Sequence, residues 1–95
     1  MHAVATTWRM DAERREQQDE GLPILVDGVR QAPGFVAGYW TRDVDDPTVS
    51  IGFVAFDDRV HAAAFADGVR GNTENQARAG VTLVDLRVVE VGASA

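Results

Sequence analysis

An α+β fold, with one antiparallel sheet layered against two helices, is predicted by three features of the sequence. Runs of β-branched and aromatic residues with a two-residue period recur four times, at His2–Met10, Phe35–Arg42, Thr48–Phe56 and Val81–Val91. After the first and third of these the period changes to that of a helix: Leu22, Leu25, Val26 and Val29 form one apolar stripe, and Ala62, Phe65, Ala66 and Val69 another. Only Asp43–Pro47 separates the second run from the third, so those two strands must form a hairpin.

In chain order, strand one is expected to place Val4, Thr6, Trp8 and Met10 on one face and Ala3, Ala5, Thr7 and Arg9 on the other. Asp11 is the expected N-cap of helix one, and Asp11 and Glu13 suit the positive end of its dipole. The stretch Glu13–Glu20 is polar on every side, a solvated opening to the helix. Pro23 removes a backbone donor and crowds the preceding turn, which predicts a kink or restart near Leu22. Pro33 and Gly34 then end the helix.

Strand two is expected to alternate Phe35, Ala37 and Tyr39 against Val36, Gly38 and Trp40. The Asp-rich turn with Pro47 follows, and strand three sets Val49, Ile51, Phe53 and Ala55 against Ser50, Gly52, Val54 and Phe56. Asp57 or Asp58 caps helix two, and Gly68 weakens its end. Residues 71–80 are compatible with a helical extension through Asn75–Arg78 or with a loop closing at Gly80. Strand four sets Leu83, Arg87, Val89 and Val91 against Val84, Leu86 and Val88, and residues 92–95 form a frayed tail.

The order β-α-β-β-α-β is the ferredoxin-like arrangement. A short echo, Asp27-Gly28-Val29-Arg30 and Asp67-Gly68-Val69-Arg70, falls near the end of each helix. Strands two and three have no polar side, and two helices cover only one face of such a sheet. The second face would expose a large apolar patch, and burial at roughly 25 cal/mol per Å² favours covering it. A homodimer packed through the sheet face is therefore expected.

The 95 residues suit one domain, with apolar and charged fractions of 45% and 25% that exclude a disordered chain. A net charge of −6 argues against a nucleic-acid or anionic-membrane partner. All nine cations are arginine, a bias that fits a GC-rich bacterial genome. Without cysteine there is no disulfide, thiolate metal site or cysteine nucleophile. The first residues lack the basic and apolar regions of a signal peptide, and no run approaches the roughly 18 apolar residues of a membrane span, so a cytoplasmic location is expected.

The segment Ala32-Pro33-Gly34-Phe35-Val36-Ala37-Gly38-Tyr39-Trp40 resembles the helix-to-strand junction of dimeric α/β-barrel proteins, in particular the antibiotic-biosynthesis-monooxygenase-like group. Phe53–Asp58 leading into an alanine-rich helix, and Gly80–Leu83 leading into a strand with Val88–Val91, are similar to the same group, so the resemblance spans nearly the whole chain. It implies a barrel built from two sheets. The activities it implies are varied: cofactor-free oxygenation of polyketide-like aromatics, haem degradation, or rearrangement of small molecules.

The haem-degrading branch uses an asparagine, a tryptophan and a helix-two histidine. Here Asn72, Asn75, Trp8 and Trp40 are present, but the sole helix-two histidine is His61, in the first turn and too early for that ligand; His2 lies at the terminus. No cofactor is expected. A cofactor-free oxygenase needs an apolar cavity, a group that deprotonates or orients a phenol, and donors for the resulting anion. Trp8, Tyr39, Trp40, His61 and Arg87 supply the candidate catalytic groups, and Gly38 and Gly52 are positions where a cavity could open. Each has a plainer reading: the aromatics as core or dimer packing, the glycines as room for bulky neighbours, His61 as a surface residue, and Arg87 as a partner of Asp85 or Glu90. No metal site is expected, since the aspartate clusters suit a turn and a helix cap and lack the pattern of a calcium loop. The two functional readings are an enzyme acting on a small apolar or aromatic molecule and a non-catalytic dimeric binding module.

Overall fold

A computed structural model describes all 95 residues. Four strands, β1 (His2–Met10), β2 (Phe35–Trp40), β3 (Val49–Phe56) and β4 (Val81–Glu90), form one antiparallel sheet in the order β2-β3-β1-β4. Three helices accompany them: α1 (Arg15–Arg30), α2 (Arg59–Arg70) and a short α3 (Thr73–Arg78). This is the ferredoxin-like topology with one helix added before β4. No helix is long and apolar enough to cross a membrane.

The Asp11 carboxylate accepts from the Glu13 amide at 3.0 Å, as a cap should, but the turn it opens is a 3-10 turn at Ala12–Arg14. The expected restart near Leu22 does not occur: α1 runs unbroken through Pro23. Proline there forfeits one bond, to the carbonyl four residues back, and the remaining ladder carries the helix through. Asp58, not Asp57, caps α2, accepting from the His61 amide at 2.9 Å. Of the two readings left open for residues 71–80, the structure takes a separate six-residue helix closed by Gly80, whose φ of 74° suits glycine. Arg14 donates to the carbonyls of Ala77 and Arg78, and Gln18 to those of Asp11, Ala79 and Gly80, so this junction is tied to the first turns of α1.

The hairpin turn is held by its aspartates. Asp43 Oδ1 accepts from the amides of Asp45 and Asp46, and Asp46 Oδ1 accepts from the Thr48 hydroxyl and amide. Those Thr48 bonds, the hydroxyl's first, draw the Asp46 carboxyl below its ordinary pKa. Pairing continues past β2, since the Thr41 and Asp43 amides donate to the carbonyls of Ile51 and Val49. That register sets Arg42 opposite Ser50.

Two bulges correct the expected faces. The β2–β3 register steps from Phe35↔Phe56 to Ala37↔Ala55, so Val36 is an extra residue. Phe35 therefore turns to the helix side with Trp40, whereas strict alternation grouped it with Tyr39. Likewise β1–β4 steps from Thr7↔Asp85 to Trp8↔Leu83, leaving Val84 extra and turning Leu83 to the helix side, away from Arg87 and Val89. A two-residue period cannot register an inserted residue, which is why pattern alone misplaces both.

The core lies between the sheet and the helices: Val4, Val29, Val54, Phe56, Ala62 and Ala66, flanked by Phe35, Trp40, Phe65, Leu86 and Val88. Phe56 is its centre, fully buried, edge-on to Phe35 at 6.4 Å and tilted against Phe65 at 5.1 Å. Beneath α2 the small residues Ala62 and Ala66 allow close approach. On α1 only Val29 is buried, and Leu22 and Leu25 remain 37% and 49% exposed. The opposite face of the sheet is apolar over β2 and β3, where Tyr39, Ile51 and Phe53 are 66%, 51% and 39% exposed. It turns polar over β1 and β4, with Thr7, Arg9, Asp85 and Arg87.

Candidate functional site

The five candidate residues separate into three places. Trp8 and Trp40 lie on the helix side of the sheet in adjoining rows: Trp40 is paired with Gly52, and Trp8 with Ser50. Tyr39 and Arg87 occupy the opposite face, and His61 stands at the start of α2. No arrangement of all five exists, so they do not form one catalytic constellation.

On the helix side of the sheet, the Trp8 indole donates to Thr6 Oγ1 at 2.8 Å, and that hydroxyl donates onward to the Gly52 carbonyl at 3.4 Å. A Cβ at Gly52 would stand 2.6 Å from Thr6 Oγ1, and one at Gly38 would stand 2.8 Å from the Trp40 ring. The two glycines thus make room for Thr6 and Trp40, and the expected cavity at these positions does not form. Ser50 Oγ donates to the Thr41 carbonyl. Beside it Arg42 reaches across to Asp19 of α1 at 3.4 Å, and Asp19 also lies 3.9 Å from Arg15. Trp8 and Trp40 are both half-buried. Two concavities lie elsewhere and are open grooves: one of about 530 Å³ over Arg15, Glu16, Asp19 and Glu20, and one of about 510 Å³ at the end of β1 and β4, lined by residues including Arg9, Met10 and Val81.

Sequence reasoning passed over Thr6, Ser50 and Arg42. The signal for Arg42 was available: two residues beyond Trp40 in an extended run, it shares that residue's face. Arg87 pairs with Asp85 at 3.2 Å on the open sheet surface, one of the partners its plainer reading named.

His61 Nδ1 lies 2.6 Å from Asp57 Oδ1 and 3.3 Å from Asp58 Oδ1. The bond to Asp57 lifts the imidazole pKa above its ordinary 6.5, against a smaller desolvation effect and with help from the Asp58 charge. The same bond draws Asp57 below 3.8. The pair also packs on the helix-to-strand turn: Asp57 donates its amide to the Gly34 carbonyl, and a Cβ at Gly34, whose φ is 78°, would collide with the Asp57 carboxylate and the His61 ring. Three donors thus come within 4.8 Å of one another, each with a capping or pairing role already.

A pH dependence follows. A raised histidine pKa gives stability that is complete below 6.5 and lost as pH rises through the higher folded value, whereas a lowered aspartate pKa gives stability lost as pH falls through its folded value below 3.8. The pair therefore stabilises the turn from below pH 3.8 up to somewhat above 6.5. Thermal melts of wild type and His61→Gln are expected to differ most near pH 5 and to converge as pH rises well above 6.5. An equal gap at both ends would remove the charge from this account.

The residues do not suit haem in the manner of the haem-degrading branch. His61 stands in the first turn of α2, while Asn72 and Asn75 pair with each other beyond the far end of that helix, roughly 18 Å away along its twelve residues.

No family model matches the chain, and no curated protein matches it in sequence. Solved structures do match in fold. A provisionally named antibiotic biosynthesis monooxygenase from Deinococcus radiodurans superposes with a TM-score of 0.75 at 19% identity, over 100% of this chain and 96% of that one. HapK from Hahella chejuensis gives 0.74 at 14% identity, over 100% and 97%. A second provisionally named antibiotic biosynthesis monooxygenase, from Nitrosomonas europaea, gives 0.67 at 19%, over 97% and 89%. The chain therefore has the ferredoxin-like fold of the antibiotic biosynthesis monooxygenase structures, along its whole length.

Proposed function

We propose that the protein is a homodimer, joined through its exposed sheet face, in which each subunit binds a small apolar or aromatic molecule in the seam between α1 and the sheet. The carrying observation is the state of that side of the sheet. Two tryptophans lie half-buried on the helix side, while α1 buries only Val29 and leaves Leu22 and Leu25 exposed. Indole faces beside aliphatic side chains suit a flat apolar ligand. The names of the fold relatives support oxygenation, or a related reaction, as the use to which such binding is put.

A non-catalytic binding module is the second reading, favoured because no acid–base pair converges in the seam. Titration with 2-naphthol, followed by the chain's two indole N–H resonances in nitrogen–proton NMR spectra, separates the possibilities. Both resonances are expected to shift saturably in the micromolar range; two unmoved signals would refute the seam as a site. Oxygen uptake during the same titration then distinguishes the enzyme from the binding module.

A further inference from the structure

We propose that Arg42 is an anion-recognising residue of this seam, so that the molecule bound there is an aromatic or apolar acid, carrying a carboxylate or an equally acidic group. The inference rests on the seam reading above and names the chemistry of its ligand.

Position is the first argument. The backbone bonds from Thr41 to Ile51 and from Asp43 to Val49 carry the β2–β3 ladder past Trp40, and place Arg42 opposite Ser50 on the helix side. Trp8 lies on the other side of Ser50 in the same row. Ser50 between them is buried, so Arg42 and Trp8 stand on either side of a covered row, on strands about 4.8 Å apart. Trp40 adjoins it one row along, two residues before Arg42.

Charge is the second. Arg42 is the less exposed member of its ion pair, at 23% against 56% for Asp19. It stands two residues along the strand from Trp40 and across Ser50 from Trp8, in a chain of net charge −6. The planar fork of a guanidinium binds a carboxylate through two parallel bonds, where the single contact to Asp19 at 3.4 Å uses one.

Exchange is the third. Asp19 is half-exposed and has a second cation, Arg15, within 3.9 Å. A ligand carboxylate can therefore take Arg42 while Asp19 keeps Arg15, with water solvating the remainder. An exposed pair of this kind contributes little to stability, so its loss opposes binding little. Because the pair also links α1 to the sheet, releasing it frees the helix at the place where the ligand must enter.

The test compares 2-naphthoate with its neutral isostere 2-naphthamide by calorimetry at pH 7. Wild type is expected to bind the naphthoate about tenfold more tightly, equivalent to about 1.4 kcal/mol. Arg42→Gln should erase the preference while keeping affinity for the amide, Arg42→Lys should retain part of it, and Asp19→Asn should strengthen the naphthoate severalfold. Arg87→Gln, on the opposite face, should change neither. Equal binding of the two probes by wild type, or an undiminished preference in Arg42→Gln, overturns the proposal while leaving the seam intact. Failure of both probes to bind wild type overturns the seam reading and this proposal together.

Discussion

Phe53→Asp is expected to turn a dimer into monomers. At about 10 μM, light scattering coupled to size exclusion should give the mass of two chains for wild type and of one chain for the variant, with the far-ultraviolet circular dichroism unchanged. Phe53 lies on β3 beside Ile51, in the sheet face that the helices do not cover, and is already 39% exposed. The substitution therefore costs the single subunit little. In a twofold interface it acts twice. Each copy forfeits about 1.5–3 kcal/mol of apolar burial, and each also brings an unpaired carboxylate into a desolvated surface. Together these weaken association by roughly a thousandfold or more. A wild-type chain that already elutes as a monomer would end the dimer reading.

The second large effect belongs to the core. Phe56→Ala is expected to lower the unfolding free energy by about 3–5 kcal/mol, seen as a fall in the urea midpoint with little change in slope. Phe56 is completely buried and touches the ring of Phe35 from β2 and of Phe65 from α2, so it joins both halves of the chain. A domain of this size has about 5–15 kcal/mol in total, which places the variant close to unfolding at body temperature. A loss under 1 kcal/mol would mean that the surrounding side chains collapse into the space.

Much of this architecture was legible in the residues. The four strands, two principal helices and their order follow from periods of two and of 3.6, and the aspartate turn from its side-chain chemistry. What the pattern could not carry was anything depending on a count along one strand relative to another. Val36 and Val84 are ordinary β-formers whose status as extra residues is set by pairing, and through them Phe35 and Leu83 change sides. The candidate site fared less well for a related reason. Trp8, Tyr39, Trp40, His61 and Arg87 were chosen by residue type, and type does not say which face of a sheet a side chain takes. Arg42 was passed over because it sits at the end of a strand, although the Trp40-to-Arg42 spacing already aligned it. The role of Gly38 and Gly52 was ambiguous until their neighbours, the Trp40 ring and the Thr6 hydroxyl, were placed.

The ties at the two ends of α1 have a mechanical consequence. Arg14 and Gln18 clamp its beginning to the Gly80 junction, and Val29 seats its end in the core. Between these anchors Pro23 has removed one rung of the hydrogen-bond ladder, and the leucines around it make little purchase on the sheet. The missing rung makes midspan the place where opening of α1 is expected to cost least, so amides around Pro23 should exchange with solvent before those at either anchored end.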